Sequence, residues 1–122
     1  MGADHSVERK AMEKPQAINI LGLVYGVEYV DKPSDVDLFR RESLWGQIDF
    51  WTRTIRIYDN GRGNEDLWHT IMHEVLHGIA SALKLKALTG SEHEDELDLL
   101  ALALVDVLFR NGWIPCPTQI TA

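Results

Sequence analysis

EDLWHTIMHEVLHGIASALKL, residues 65–85, decides how this chain is read. Trp68, Ile71, Met72, Val75, Leu76, Ile79 and Leu83 recur at intervals of three and four, the period of a helix with one apolar face. The spacing predicts a helix from about Glu65 to Leu85, with Asn64 as N-cap and Glu65 and Asp66 in its positive first turn. Within it stands His73-Glu74-Val75-Leu76-His77. Residues four apart on a helix lie one turn apart on the same side, so both imidazoles can reach one metal ion. Glu74 is about 100° round from His73 but only about 60° from His77. It borders the metal face without having to be a ligand, and is placed to take a proton from a water that a metal activates.

Two histidines are too few for tight zinc binding, and a third protein ligand is expected, with the fourth position left to water. Glu92-His93-Glu94-Asp95-Glu96-Leu97-Asp98 opens a second predicted helix, whose inward face runs through Leu97, Leu100, Ala101, Leu104, Val107 and Leu108 and which ends near Asn111-Gly112. Stepping back three or four from Leu97 selects Glu94, with His93 as the alternative ligand. Asp98, one turn after Glu94, is placed to accept a hydrogen bond from a ligand imidazole, the usual partner of such a ring. Ser91-x-x-Glu94 also has the form of a capping box, and a capped helix can still present one carboxylate. His69 completes a ladder with His73 and His77, but the outer pair is about 12 Å apart along the axis, so all three cannot share one ion. His69 therefore reads as a neighbour of the site or a surface residue.

Upstream the pattern is β-rich. INILGLVYGVEYVD, residues 18–31, reads as one long strand with a possible bulge at Gly22 or Gly26. Gly46 to Trp51 and Thr54 to Tyr58 alternate and form a hairpin with Thr52-Arg53 at its tip. Between them KPSDVDLFRRES, residues 32–43, reads as a charged connector. The predicted fold is α+β: an antiparallel meander of about three strands packed on the first helix, followed by a second helix. The four tryptophans at 45, 51, 68 and 113 are assigned to the core, with Trp51 near the hairpin tip the one most open to exposure.

Composition sets the outer bounds. A chain of 122 residues is about one domain, read as a loose arm over 1–14 and a single domain over 15–122. One cysteine, Cys116 between two prolines, excludes a disulfide framework and a cysteine-based zinc knuckle. No apolar run reaches the roughly 18 residues of a membrane span, and residues 1–16 lack the apolar stretch of a signal peptide, so the expected location is the cytoplasm. The net charge is −7, and it is uneven: residues 64–122 hold nine acidic side chains and three basic ones. That half offers no clustered cations for nucleic acid and suits a site that attracts a cation.

His-Glu-x-x-His on one helix, followed on the next by Glu94-x-x-x-Asp98, resembles the gluzincin metallopeptidases. The block EDLWHTIMHEVLHGIASALKL with EHEDELDLLALALVDVLFRNGW, and the hairpin LWGQIDFWTRTIRI before it, resemble the small bacterial and phage ImmA/IrrE-like metallopeptidases. The likeness covers roughly residues 18–113, and its specific part is His73, Glu74, His77 and the 94–98 segment. It implies a minimal zincin-like core with one zinc held by His73, His77 and Glu94, Glu74 as general base, and a peptide or protein as substrate. Tyr58, Tyr25, His69 and Arg56 are all candidates to stabilise the oxyanion, and the residues do not choose among them. The alternative is a non-catalytic zinc-binding domain, in which the metal has a structural or regulatory role. Glu74 discriminates, because a purely structural site has no use for a carboxylate placed as a base.

Overall fold

A computed structural model describes residues 14–113. Almost all of the expected N-terminal arm, and Cys116, lie outside the described residues. The order of elements is β1 (Ala17–Ile20), β2 (Leu23–Val30), β3 (Gly46–Asp49), β4 (Thr54–Tyr58), α1 (Asn64–Leu83) and α2 (Glu94–Arg110). The class is α+β: a four-stranded mixed sheet and two helices.

The sheet departs from the expected meander in two ways. Residues 18–31 are two strands rather than one, reversed at Leu21 and Gly22, whose φ angles of 53° and 92° are both positive. Two such residues make the tight turn whose twist suits a hairpin, and Asn19 Oδ1 accepts a hydrogen bond from the Gly22 N–H at 2.7 Å. The strand order is then β1-β2-β4-β3, and β2 pairs with β4 in parallel, Gly26 opposite Thr54 through Val30 opposite Tyr58. The connector after β2 brings the chain back along the sheet, so β4 lies inside and β3 forms an edge. The β3–β4 hairpin forms, but β3 ends at Asp49 instead of Trp51, so the loop is Phe50 to Arg53 and not Thr52-Arg53 alone.

Alternation along β2 and β4 puts Tyr25, Val27, Ile55 and Ile57 on one face, where they join Ile20 and meet Leu67 and Ile71 of α1. Ile55 and Ile57 are completely buried, and each such side chain contributes about 1.5–3 kcal/mol of burial free energy. The other side of α1 packs on α2 through Leu76, Leu97 and Ala101, with Met72 and Leu104 alongside. Helix α1 is thus sandwiched between the sheet and α2. The buried line of α2 is Leu97, Ala101, Val105 and Phe109, whereas Leu100 and Val107, expected on the inward face, are exposed. Helix α1 starts one residue earlier than expected, with Gly63 at the N-cap, and closes at Lys84 in the left-handed conformation. No side chain caps either helix, so the capping-box role of Ser91 is not formed; Ser91 lies in a short 3-10 turn. Among the tryptophans only Trp68 packs against the core; Trp45, Trp51 and Trp113 are exposed, Trp51 most of all.

The charged connector hides a buried carboxylate. Asp37 is fully buried and accepts hydrogen bonds from the Phe39 and Arg41 N–H groups, Arg41 Nε and Gln47 Nε2. Gln47 in turn accepts from the Leu38 N–H at 2.9 Å, tying the connector to β3. Arg56, opposite Gln47 on the neighbouring strand, donates to the Val36 and Asp35 carbonyls. The backbone donor at Phe39, with Gln47 and Arg41, outweighs desolvation and holds the Asp37 carboxyl well below the usual carboxylate range. A depressed native value means stability that is present above the unfolded value and lost as pH falls past it. The urea midpoint of the wild type should therefore exceed that of Asp37→Asn by a constant margin from pH 5 to 8, and the margin should shrink below roughly pH 4. A margin that does not change with pH would remove the carboxylate's charge from the explanation.

Candidate metal centre

Helical phase divides the work of the motif. Thr70, Glu74 and Gly78 face inward from α1, while His73 and His77 turn toward the start of α2. Glycine makes the inward fit possible at two places. A Cβ at Gly46 of β3 would lie 2.7 Å from Thr70 Cγ2 and 2.9 Å from Glu74 Oε2; one at Gly78 would lie 2.6 Å from Ile20 Cδ1. Edge strand β3 can thus pass directly over the Glu74 carboxyl.

His73 Nε2 lies 3.1 Å from His77 Nε2 and 2.6 Å from Glu94 Oε1. His77 Nε2 lies 3.2 Å from Glu94 Oε2. One ligand atom from each of the three residues falls within 4.8 Å of the others, and the group could hold a metal ion. The donors of a tetrahedral zinc site with N and O bonds near 2.0–2.1 Å stand about 3.3 Å apart, so these three side chains need only small adjustments. Behind the group, His73 Nδ1 faces Asp98 Oδ1 at 2.7 Å. With the Nδ1 proton held by that carboxylate, the Nε2 lone pair is directed at the centre. His69 Nε2 lies 3.1 Å from the same Asp98 oxygen, so His69 is a neighbour of the site and not a member of the group. His93, the alternative ligand, turns instead to Glu96, Nδ1 to Oε1 at 3.0 Å.

Burial and charge act together here. Glu74 is 5% exposed. Desolvation pushes its carboxyl up to about 7, opposed by His73 and reinforced by Glu94 and Asp98. Burial lowers the His73 value, but Glu74, Asp98 and Glu94 outweigh it and the net shift is upward. Glu94 is half exposed, so solvent reaches the centre.

The residues line a cleft of about 660 Å3 between β3 and α1, with Trp45 and Phe50 on the strand side and His69, His73, Glu74, His77, Glu94 and Asp98 on the helical side. Arg62 closes one end, stacked 4.4 Å from the Trp45 ring and donating to the Tyr58 and Asp66 carbonyls and to Thr70 Oγ1. Of the four oxyanion candidates only His69 lines the cleft. Tyr25 belongs to the core, Arg56 is bound to Glu28 and the connector, and the Tyr58 hydroxyl donates to the Asn60 carbonyl. Sequence reasoning did not single out Gly46, Gln47 or Arg62 as parts of this cleft. Their only signal was proximity to the hairpin and to the glycine-rich break before α1.

No family model, curated protein or solved structure matches this chain.

Proposed function

We propose that the protein is a zinc-dependent peptidase of the gluzincin type, similar to the ImmA/IrrE-like enzymes, with a minimal zincin-like fold. One observation carries the reading. A buried Glu74 carboxyl, pushed up to about 7, lines the same cleft as a group of two imidazoles and a carboxylate that could hold a metal. The donor set fits zinc, because His2Glu sites with one open position are characteristic of catalytic zinc. His73, His77 and Glu94 would hold the ion, which when bound acts as a Lewis acid and lowers the pKa of water to near 7. The remaining work belongs to the chain. Glu74, held under Gly46, accepts a proton from a water in the cleft and returns it to the departing amine. Asp98 fixes the His73 ring and also faces His69 Nε2 at 3.1 Å, which holds the His69 ring in the cleft wall. An edge strand and two exposed aromatic rings at the cleft mouth suit an extended peptide as substrate.

A closed structural zinc site would take its fourth donor from the protein. Three donors beside an open cleft and a buried base favour catalysis over that alternative. The test is elemental analysis together with hydrolysis of a broad peptide and unfolded-protein panel, with a chelator control. One zinc per chain and chelator-sensitive cleavage are the expected results; zinc without cleavage across the panel would favour the structural role.

Asp98→Asn gives a narrower check. The amide keeps the size of the side chain but loses the charge that holds the Nδ1 proton. Zinc affinity, measured by competition with a chromophoric chelator, should fall by about 10–100-fold. Unchanged affinity would mean that the 2.7 Å contact does not orient the ring.

A further inference from the structure

The cleft does not end at His77. A second cavity of about 390 Å3 opens beyond that imidazole, and Phe50 and His77 line both. Its other walls include Ala80 and Ser81 from the last turn of α1, and Lys84, Lys86 and Thr89 from the loop that follows. Charge sets it apart. Residues 64–122 hold three basic side chains, Lys84, Lys86 and Arg110, and two of them line this one small cavity. Neither ammonium has an ion pair or hydrogen bond among the described residues. Glu92, whose carboxylate lies against Gly90 at the rim, is 3.8 Å from His93 Nε2. Lys84 stands at φ 56° and ψ 46°, a helix-closing position usually given to glycine and unfavourable by roughly 1–2 kcal/mol for other residues. Cations at a helix C-terminus also relieve its exposed carbonyls, but that role needs neither a cavity nor a position beside His77.

We propose that this cavity is a carboxylate subsite, in which Lys84 and Lys86 hold an anionic group of a peptide whose neighbouring residue lies against His77. Phe50 and Ala80 supply apolar wall for the alkyl part of that group. The shared chemistry is a carboxylate, from an acidic side chain or from a free chain terminus. The inference rests on the peptidase reading.

The test separates the two. Fluorescein-labelled peptides are matched in pairs: Glu against Gln at one position, and free against amidated C-terminus. Binding to the full chain with one equivalent of zinc, in a Glu74→Gln background that prevents turnover, is read by fluorescence anisotropy. One anionic member should bind about three- to tenfold tighter than its neutral partner at low ionic strength, with the preference fading in 0.5 M salt, a concentration of about five times the one at which screening already acts over 10 Å. The pair that shows the preference identifies the source of the carboxylate. Lys84→Met/Lys86→Met keeps the apolar stems and the non-glycine backbone, and should erase the preference while leaving neutral-peptide binding unchanged. Equal binding within both pairs, no binding at all, or a preference that survives the double substitution would overturn the subsite. Hydrolysis of the same peptides by wild type is scored separately. Chelator-sensitive cleavage without charge preference defeats the subsite alone; charge-selective binding without cleavage defeats the peptidase reading and leaves an anion-binding cavity.

Discussion

His73→Ala is expected to lose the metal. Two donors would remain of a group whose atoms now lie within 4.8 Å of one another, and the substitution also removes one partner from each of two carboxylates. Glu94 loses its 2.6 Å partner and Asp98 its 2.7 Å partner, so that among the described residues Glu94 keeps only His77 and Asp98 only His69. Zinc content after desalting should drop from one per chain to below about 0.1, in line with the dependence of such sites on a full donor set. Stability should report the same loss. A ligand present at a hundred times its dissociation constant stabilises the folded state by about 2.7 kcal/mol, on the order of 10 °C in Tm for a domain of this size. Added zinc should raise the melting temperature of wild type by that order and leave His73→Ala unmoved. His93→Ala is the control: its ring faces Glu96 in the same acidic segment, so it should retain the zinc and the thermal shift. Equal losses in both variants would mean that the acidic segment attracts the ion as diffuse charge, and that the three-residue group is not its seat.

That control also marks where the sequence was informative. The first helix was legible because a stripe repeated over twenty residues leaves little freedom, and a motif at i and i+4 inherits its geometry from the helix. Glu94 was reached by counting back from Leu97, and Leu97 is completely buried, so the count started from a true anchor. Its continuation through Leu100 and Val107 did not hold. Leucine, valine and alanine on most positions of α2 offer more than one apolar stripe; contact with α1 selects Leu97 and Ala101, and the buried line continues through Val105 and Phe109. The sheet was less legible for a different reason. Leu21-Gly22 lacks the Asn-Gly or Asp-Gly signature of a two-residue turn, and a parallel β2–β4 pairing depends on where the connector goes. The connector's route is fixed by Asp37, whose burial no local pattern of charged residues announces. The placement of β3 over Glu74 follows from that route, and with it one wall of the cleft. Sequence therefore located the donors, while the surface that would receive a substrate is a property of the assembled sheet.

Glu74→Gln should keep the metal and remove most of the hydrolysis. The amide has nearly the shape of the carboxyl, so it fits beneath Gly46, where a Cβ would already stand 2.9 Å from Oε2, and neither imidazole needs to move. Elemental analysis should still find one zinc per chain. Glutamine has no basic oxygen to take a proton from the attacking water and none to pass to the leaving amine, and general-base action of this kind is typically worth about 10²–10⁴-fold in kcat. The pH profile sharpens the expectation. Burial pushes the Glu74 carboxyl up to about 7 in the metal-free chain, and a bound dication would lower it, so the wild-type rate should fall on the acid side of neutrality as the base takes up a proton. Wild type and Glu74→Gln cleaving at equal rates would assign the activity to a contaminant or to another base. A large rate loss accompanied by loss of zinc would show that Glu74 supports the fold of the site instead of acting on the water.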